Sequence, residues 1–190
     1  QLKKSIPARA IPITVVDTAG FQTLAPTLPA ATTRWLATLG FQGKADSHAL
    51  IPGADGDLAQ VFAGVAHADD PFALAGLPMA LPQRSYRLDG QGLSLAPEGA
   101  ALSWSLGAYS FDRYKARQRA PATLALPTNA ASARGVQLAE AIAMARDLIN
   151  TPAEHMGPQE LAQAAQALAR QHGARFSQIE GDALLKRNFP

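Results

Sequence analysis

No cysteine occurs among the 190 residues, which leaves disulfide frameworks, thiolate nucleophiles and cysteine-bound zinc without support. Charge is sparse. Only 17% of residues are charged and the net charge is +2, too little to make the chain as a whole a nucleic-acid-binding surface. No apolar run approaches the ~18 residues of a membrane-spanning helix, and Gln1-Leu2-Lys3-Lys4 lacks the apolar stretch of a secretory signal. Catalytic signatures are missing as well: there is no Gly-x-Ser-x-Gly elbow, no His-Glu-x-x-His pair and no Walker loop. Gly53-Ala54-Asp55-Gly56-Asp57 is glycine-rich, but no helix start follows it, so it reads as a turn between two apolar runs.

Metal-ligand patterns are equally thin. The 15 acidic residues are scattered, whereas hydrolysis at two metals needs several carboxylates converging on ions about 4 Å apart. His67, Asp69 and Asp70 form the densest constellation, yet their adjacency and the following Pro71 fit a polar turn with an N-cap better than a ligand set. The other three histidines are dispersed. His155 precedes Gly157-Pro158 in an expected loop, His48 leads into Ala49-Leu50-Ile51, and His172 falls at an expected helix end. No residue is therefore assigned a catalytic, cofactor-binding or metal-binding role.

What the chain does contain is 47% hydrophobic residues, many of them alanine, enough for one good core. Strand-like runs and helical patterns alternate. Residues 11–16 read as a strand, and Thr32 or Thr33 is placed to cap a helix through Trp35, Leu36 and Leu39 that Gly40 ends. Strands are expected at 49–51, 58–65, 85–88, 93–95 and 122–126. Pro97 and Glu98 start a helix in which Leu102, Leu106 and Tyr109 share a face. This interleaving implies an α/β layer structure with a mixed sheet.

The strongest local signals lie near the C-terminal end. Leu138, Ile142, Ala145 and Ile149 follow helical spacing, and Pro152 stops that helix near Asn150 by disfavouring the α conformation at Thr151. A second helix opens at Gly157-Pro158, with Gln159 and Glu160 in its first turn, and Gly173 closes it. A short strand is expected at 174–179, then one more helical turn capped by Asp182. Such a piece of about 40 residues falls below the size of an independent domain. We therefore expect a larger domain to begin near Thr151 and to be incomplete here.

The run Arg146-Asp147-Leu148-Ile149-Asn150-Thr151-Pro152, with Met156-Gly157-Pro158, Glu160-Leu161-Ala162, Gly181-Asp182, Leu184-Leu185 and Asn188-Phe189-Pro190, resembles the entry into the catalytic domain of the leucyl aminopeptidase (cytosol aminopeptidase) family. Leu106-Gly107-Ala108-Tyr109-Ser110-Phe111-Asp112-Arg113-Tyr114-Lys115 is similar to a helix and its tail late in that family's N-terminal domain. The resemblance covers roughly 100–190 and implies a division into an N-terminal α/β domain at 1–130 with a macro-like mixed sheet flanked by helices, an interdomain linking helix at 131–150, and the start of a catalytic domain at 151–190. It also implies a cytoplasmic, homohexameric, two-metal exopeptidase, using manganese or zinc and removing N-terminal residues, leucine among the favoured ones, from peptides. The family's metal ligands and catalytic residues fall downstream of these motifs, so this segment is expected to bind no metal and to be inactive alone. Neither an ADP-ribose loop nor any membrane contact is implied.

A different class of function attaches to Asp112-Arg113-Tyr114-Lys115-Ala116-Arg117-Gln118-Arg119, where four cations interleave with Phe111 and Tyr114. Such a run could contact nucleic acid, but after a helix it more often forms a solvated end that complements the dipole. The competing reading is thus a noncatalytic oligomerisation or regulatory module, with DNA contact an unfavoured variant.

Overall fold

The computed structural model describes residues 2–3 and 9–189. By spatial clustering the chain falls into two compact units, Gln1–Ala143 and Met144–Pro190, and the division lies inside one helix. The first unit is built on a six-stranded mixed sheet of β1 (Leu2–Lys3), β2 (Ile11–Val16), β3 (His48–Pro52), β4 (Leu58–Gly64), β5 (Ser85–Leu88) and β6 (Thr123–Ala125). Their spatial order is β1-β6-β5-β2-β4-β3, with every pairing parallel except the antiparallel β3–β4 edge.

Period-two alternation in β2 sends its side chains to two different cores. Ile11, Ile13 and Val15 join Val61, Ala63, Tyr86 and Leu124 on one face, where α3 (Leu77–Ala80), α4 (Pro97–Ala108) and α5 (Ala130–Asn150) supply Leu77, Trp104 and Val136. Val16 joins Phe62, Ala49 and Ile51 on the other, under α1 (Thr18–Leu24) and α2 (Ala30–Thr38). Two buried aromatics keep their polar atoms paired: the Trp104 indole N–H donates to the Ala122 carbonyl at 3.3 Å, and the Tyr86 hydroxyl to the Pro82 carbonyl at 2.9 Å. Burial pushes the Tyr86 phenol above its ordinary pKa.

Several local expectations need correction. α2 begins at Ala30 with Pro29 as its N-cap, not at Thr32 or Thr33; the Thr33 hydroxyl instead donates back to the Pro29 and Ala25 carbonyls, a local bond that a helical threonine can make. α1 is a further helix, capped by Asp17, whose carboxylate accepts from Gly20 N–H at 2.6 Å. Residues 93–95 make no strand; Leu93 N–H reaches the Val15 carbonyl, but no ladder continues from it. In α4 burial is not confined to one stripe, since Ala100, Ala101, Ser103, Trp104, Leu106 and Ala108 are all buried. α5 starts at Ala130, because the Asn129 side chain caps Ser132 N–H at 2.9 Å. Its buried residues are the small Ser132, Gly135 and Ala139, while Ile142 is 38% exposed.

In the second unit, α5 ends as its sequence requires: Thr151 N–H and hydroxyl both bond the Asp147 carbonyl, and a 3-10 turn at Ala153–His155 follows Pro152. α6 (Pro158–Gln171) opens with Glu160 accepting from Gly157 N–H at 3.0 Å, and Gly173 takes a left-handed φ of 64°. Residues 174–179 are not a strand, because an extended segment gains its hydrogen bonds only from a neighbour and no described strand pairs with them. α7 (Asp182–Lys186) has Gly181 at its N-cap, with Asp182 inside the first turn. None of residues 152–189 is buried, and Leu161, Ile179 and Leu185 are exposed.

Candidate functional site

One cavity of the first unit is a groove of about 850 Å³ between the end of α4 and the first half of α5. Its walls are mainly apolar, with Ala108, Pro121, Leu126 and Val136 among them. Gly135 lets the two helices approach: a Cβ there would lie 2.3 Å from the Glu98 carbonyl oxygen. Polar side chains also line it, among them Tyr109, Asn129, Gln137 and Glu140. Ser132 Oγ is buried without a hydrogen-bond partner, and Arg117 is held by Asp112 through bonds of 2.9 and 3.4 Å. That guanidinium keeps the Asp112 carboxyl below its ordinary pKa. With Glu140 as the single carboxylate of its lining, the groove can shelter apolar groups but holds no acid–base pair for hydrolysis.

A second cavity of about 530 Å³ lies at the N-terminal ends of the parallel strands, where two arginines, Arg9 and Arg84, and two aspartates, Asp55 and Asp57, line it. Arg84 and Asp57 approach to 3.6 Å, and both side chains are at least half exposed, so water screens the pair.

The residues singled out in sequence stand apart. His67 Nδ1 and Asp69 Oδ1 are 2.6 Å apart in an exposed turn, while Asp70 accepts from Phe72 N–H at 2.8 Å, which makes the segment a hydrogen-bonded turn. The Asp69 carboxyl lies below its ordinary pKa through its backbone hydrogen bond first and His67 second. His48 opens the edge strand β3, His155 ends the 3-10 turn, and His172 terminates α6. Among the described residues no group of three or more His, Asp or Glu is placed to hold a metal ion. A two-metal centre needs more ligands than His67 and Asp69 offer, so these side chains do not fit one.

The basic run is partly committed to structure. Arg117 pairs with Asp112, and Arg119 donates to the carbonyls of Met79 and Leu81. Arg113 lies 5.7 Å from the Tyr114 ring centroid, within cation–π range. The folded run is therefore a clamp on the α3 turn as much as a charged surface. A polar chain overlooked in the sequence runs across the sheet: Gln60 Nε2 donates to Thr14 Oγ1 at 2.8 Å, which donates to Asp89 Oδ2 at 2.5 Å. Its signal was present as a lone threonine inside the apolar β2.

Set beside known proteins, this fold has a consistent counterpart. Residues 11–127 match the family described as M17 aminopeptidase, N-terminal domain, so the chain belongs to that family. The chain is similar to a probable cytosol aminopeptidase of Rhodococcus erythropolis, 34% identical over 113 residues, which covers 51% of this chain and 22% of that protein. It is 29% identical over 229 aligned residues to a probable cytosol aminopeptidase of Streptomyces coelicolor, covering 96% of this chain and 44% of the relative. Among solved structures, the cytosol aminopeptidase of Coxiella burnetii superimposes with a TM-score of 0.88 at 33% identity, over 97% of this chain and 41% of that one. The bottromycin maturation enzyme BotP in complex with Mn gives a TM-score of 0.71 at 26% identity, over 95% and 40%. The chain thus spans less than half the length of each of these relatives. Among the described residues no helix is long and apolar enough to cross a membrane.

Proposed function

We propose that this chain is the N-terminal portion of a metal-dependent leucyl aminopeptidase, in which a further catalytic domain binds two manganese or zinc ions and removes N-terminal residues, leucine favoured, from peptides. The observation that carries this reading is the superposition on the Coxiella burnetii cytosol aminopeptidase over 97% of the chain but only 41% of that protein. The BotP structure in complex with Mn supports manganese as one of the metals. Further support comes from the second unit, where Leu161, Leu168, Leu184 and Leu185 are exposed, as expected of elements that complete their core against another part of the protein. In this reading the parent is a cytoplasmic homohexamer, and residues 1–190 contribute positioning and assembly but no metal ligand. The groove along α4 and α5 lends some support to an assembly role, whereas engagement of Arg117 and Arg119 counts against DNA contact.

Complementation tests this. The purified chain is mixed with a separately produced catalytic domain from a cytosol aminopeptidase, and light-scattering mass and leucyl-anilide hydrolysis are recorded. An increase in assembly mass with a change in activity is expected; two species that ignore each other would overturn the reading.

A further inference from the structure

β3 is the outer strand of the sheet among the described residues, and nothing in its sequence protects it by charge. His48-Ala49-Leu50-Ile51-Pro52 carries neither lysine nor a carboxylate, and its single edge-blunting residue, Pro52, stands at the end of the strand. The outward groups can be assigned from the ladder. Gly64 N–H donates to Ser47 O, so alternation along the antiparallel pair turns Ala49 and Ile51 toward β4 and leaves the backbone groups of His48 and Leu50 facing outward. Leu50 lies at the middle of the strand. An antiparallel copy of β3, related by a two-fold axis through this residue, would exchange bonds between the two Leu50 N–H and C=O groups.

That acceptor is already occupied. Trp35, on α2, reaches the edge, and its Nε1–H donates to the Leu50 carbonyl at 2.9 Å. Trp35 is 43% exposed, so burial alone does not account for a tryptophan there. The register shift at Ile51/Pro52 shortens the free edge further and leaves Leu50 as the one central point at which a second strand could start.

We propose that Trp35 is an edge guard: its indole closes the Leu50 carbonyl and so prevents β3 from pairing with β3 of a second copy of this chain. The guard is a side chain on a neighbouring helix, so a substitution there leaves the sequence of β3 unchanged.

Trp35→Phe keeps an aromatic ring and removes the N–H. Sedimentation equilibrium of the 190-residue chain is compared with that of the variant, together with amide hydrogen exchange. The self-association constant of Trp35→Phe is expected to rise at least tenfold, and the outward Leu50 amide to gain protection in the associated form. Adding His48→Pro, which removes the next outward donor at the first strand position, should return association to the parental value. Circular dichroism separates these effects from loss of fold. Unchanged association in a folded Trp35→Phe, an unprotected Leu50 amide, or association that persists with His48→Pro would each overturn the proposal.

Discussion

Gly135 of α5 passes against the backbone of Glu98 at the start of α4, so closely that an added Cβ would meet the Glu98 carbonyl oxygen at 2.3 Å. Arg134 and Glu98 add a largely exposed ion pair of 3.3 Å at the same crossing, which contributes little by comparison. Close packing of α5 onto α4, and hence the floor of the groove, depends on the missing side chain.

Gly135→Ala should therefore destabilise the first unit. Helix propensity favours alanine by up to ~1 kcal/mol, but a clash with backbone cannot relax by a rotamer change, and overpacking costs about 1–3 kcal/mol. We expect a net loss of about 1–2 kcal/mol in urea unfolding. Gly99→Ala, in the first turn of α4 with open space around its Cβ position, is the control and should gain about 0.5–1 kcal/mol.

The Gln60–Thr14–Asp89 chain makes a second prediction. Thr14 is fully buried and links residues far apart in sequence, so Thr14→Val keeps shape while removing both bonds. A loss of about 2 kcal/mol is expected, since one of the bonds ends on a carboxylate. A double-mutant cycle with Asp89→Asn should show coupling; additivity would mean that Asp89 is solvated independently.

These examples also show how far the sequence was legible. Pro152, Pro158 and Gly173 act on their own backbone, and the ends of α5 and α6 followed from them. The parallel strands β2 and β4 were visible as β-rich apolar runs, and β5 as a short segment within a stretch punctuated by proline and glycine. The absence of a strand at 174–179, where one was expected, was not legible, because strand formation depends on a neighbour that periodicity does not reveal. Nor was the buried face of α5: Ser132, Gly135 and Ala139 are silent in a hydrophobicity pattern and gain meaning only from the proximity of α4. The start of α2 was missed because Pro29 competes with two good capping threonines. As for the candidate site, the sequence contained neither a ligand cluster nor the fact that Arg119 reaches across to the α3 turn, since that contact joins residues some forty positions apart.

Asp112 provides a pH test. Its carboxyl is held below the ordinary aspartate value chiefly by the Arg117 hydrogen bond, so the folded state binds this proton less readily than the unfolded chain. The bond's contribution is present above the unfolded pKa and is lost as pH falls through the lower folded one. An NMR titration of the Asp112 side-chain carbon should place its midpoint below that of a free aspartate. Arg117→Gln should move it upward, and an unchanged midpoint would mean that the pair is not formed in solution.

The chain belongs to the M17 aminopeptidase family, and the central proposal is that residues 1–190 hydrolyse no peptide by themselves. The direct measurement is leucyl-anilide hydrolysis by the purified 190-residue chain at saturating manganese, and separately zinc, with contaminating peptidase controlled by an identically prepared blank. No turnover above the blank is expected, because the described residues bring together no ligand set for such ions. Metal-dependent turnover that co-purifies with the chain would contradict the account and place a catalytic centre within residues 1–190.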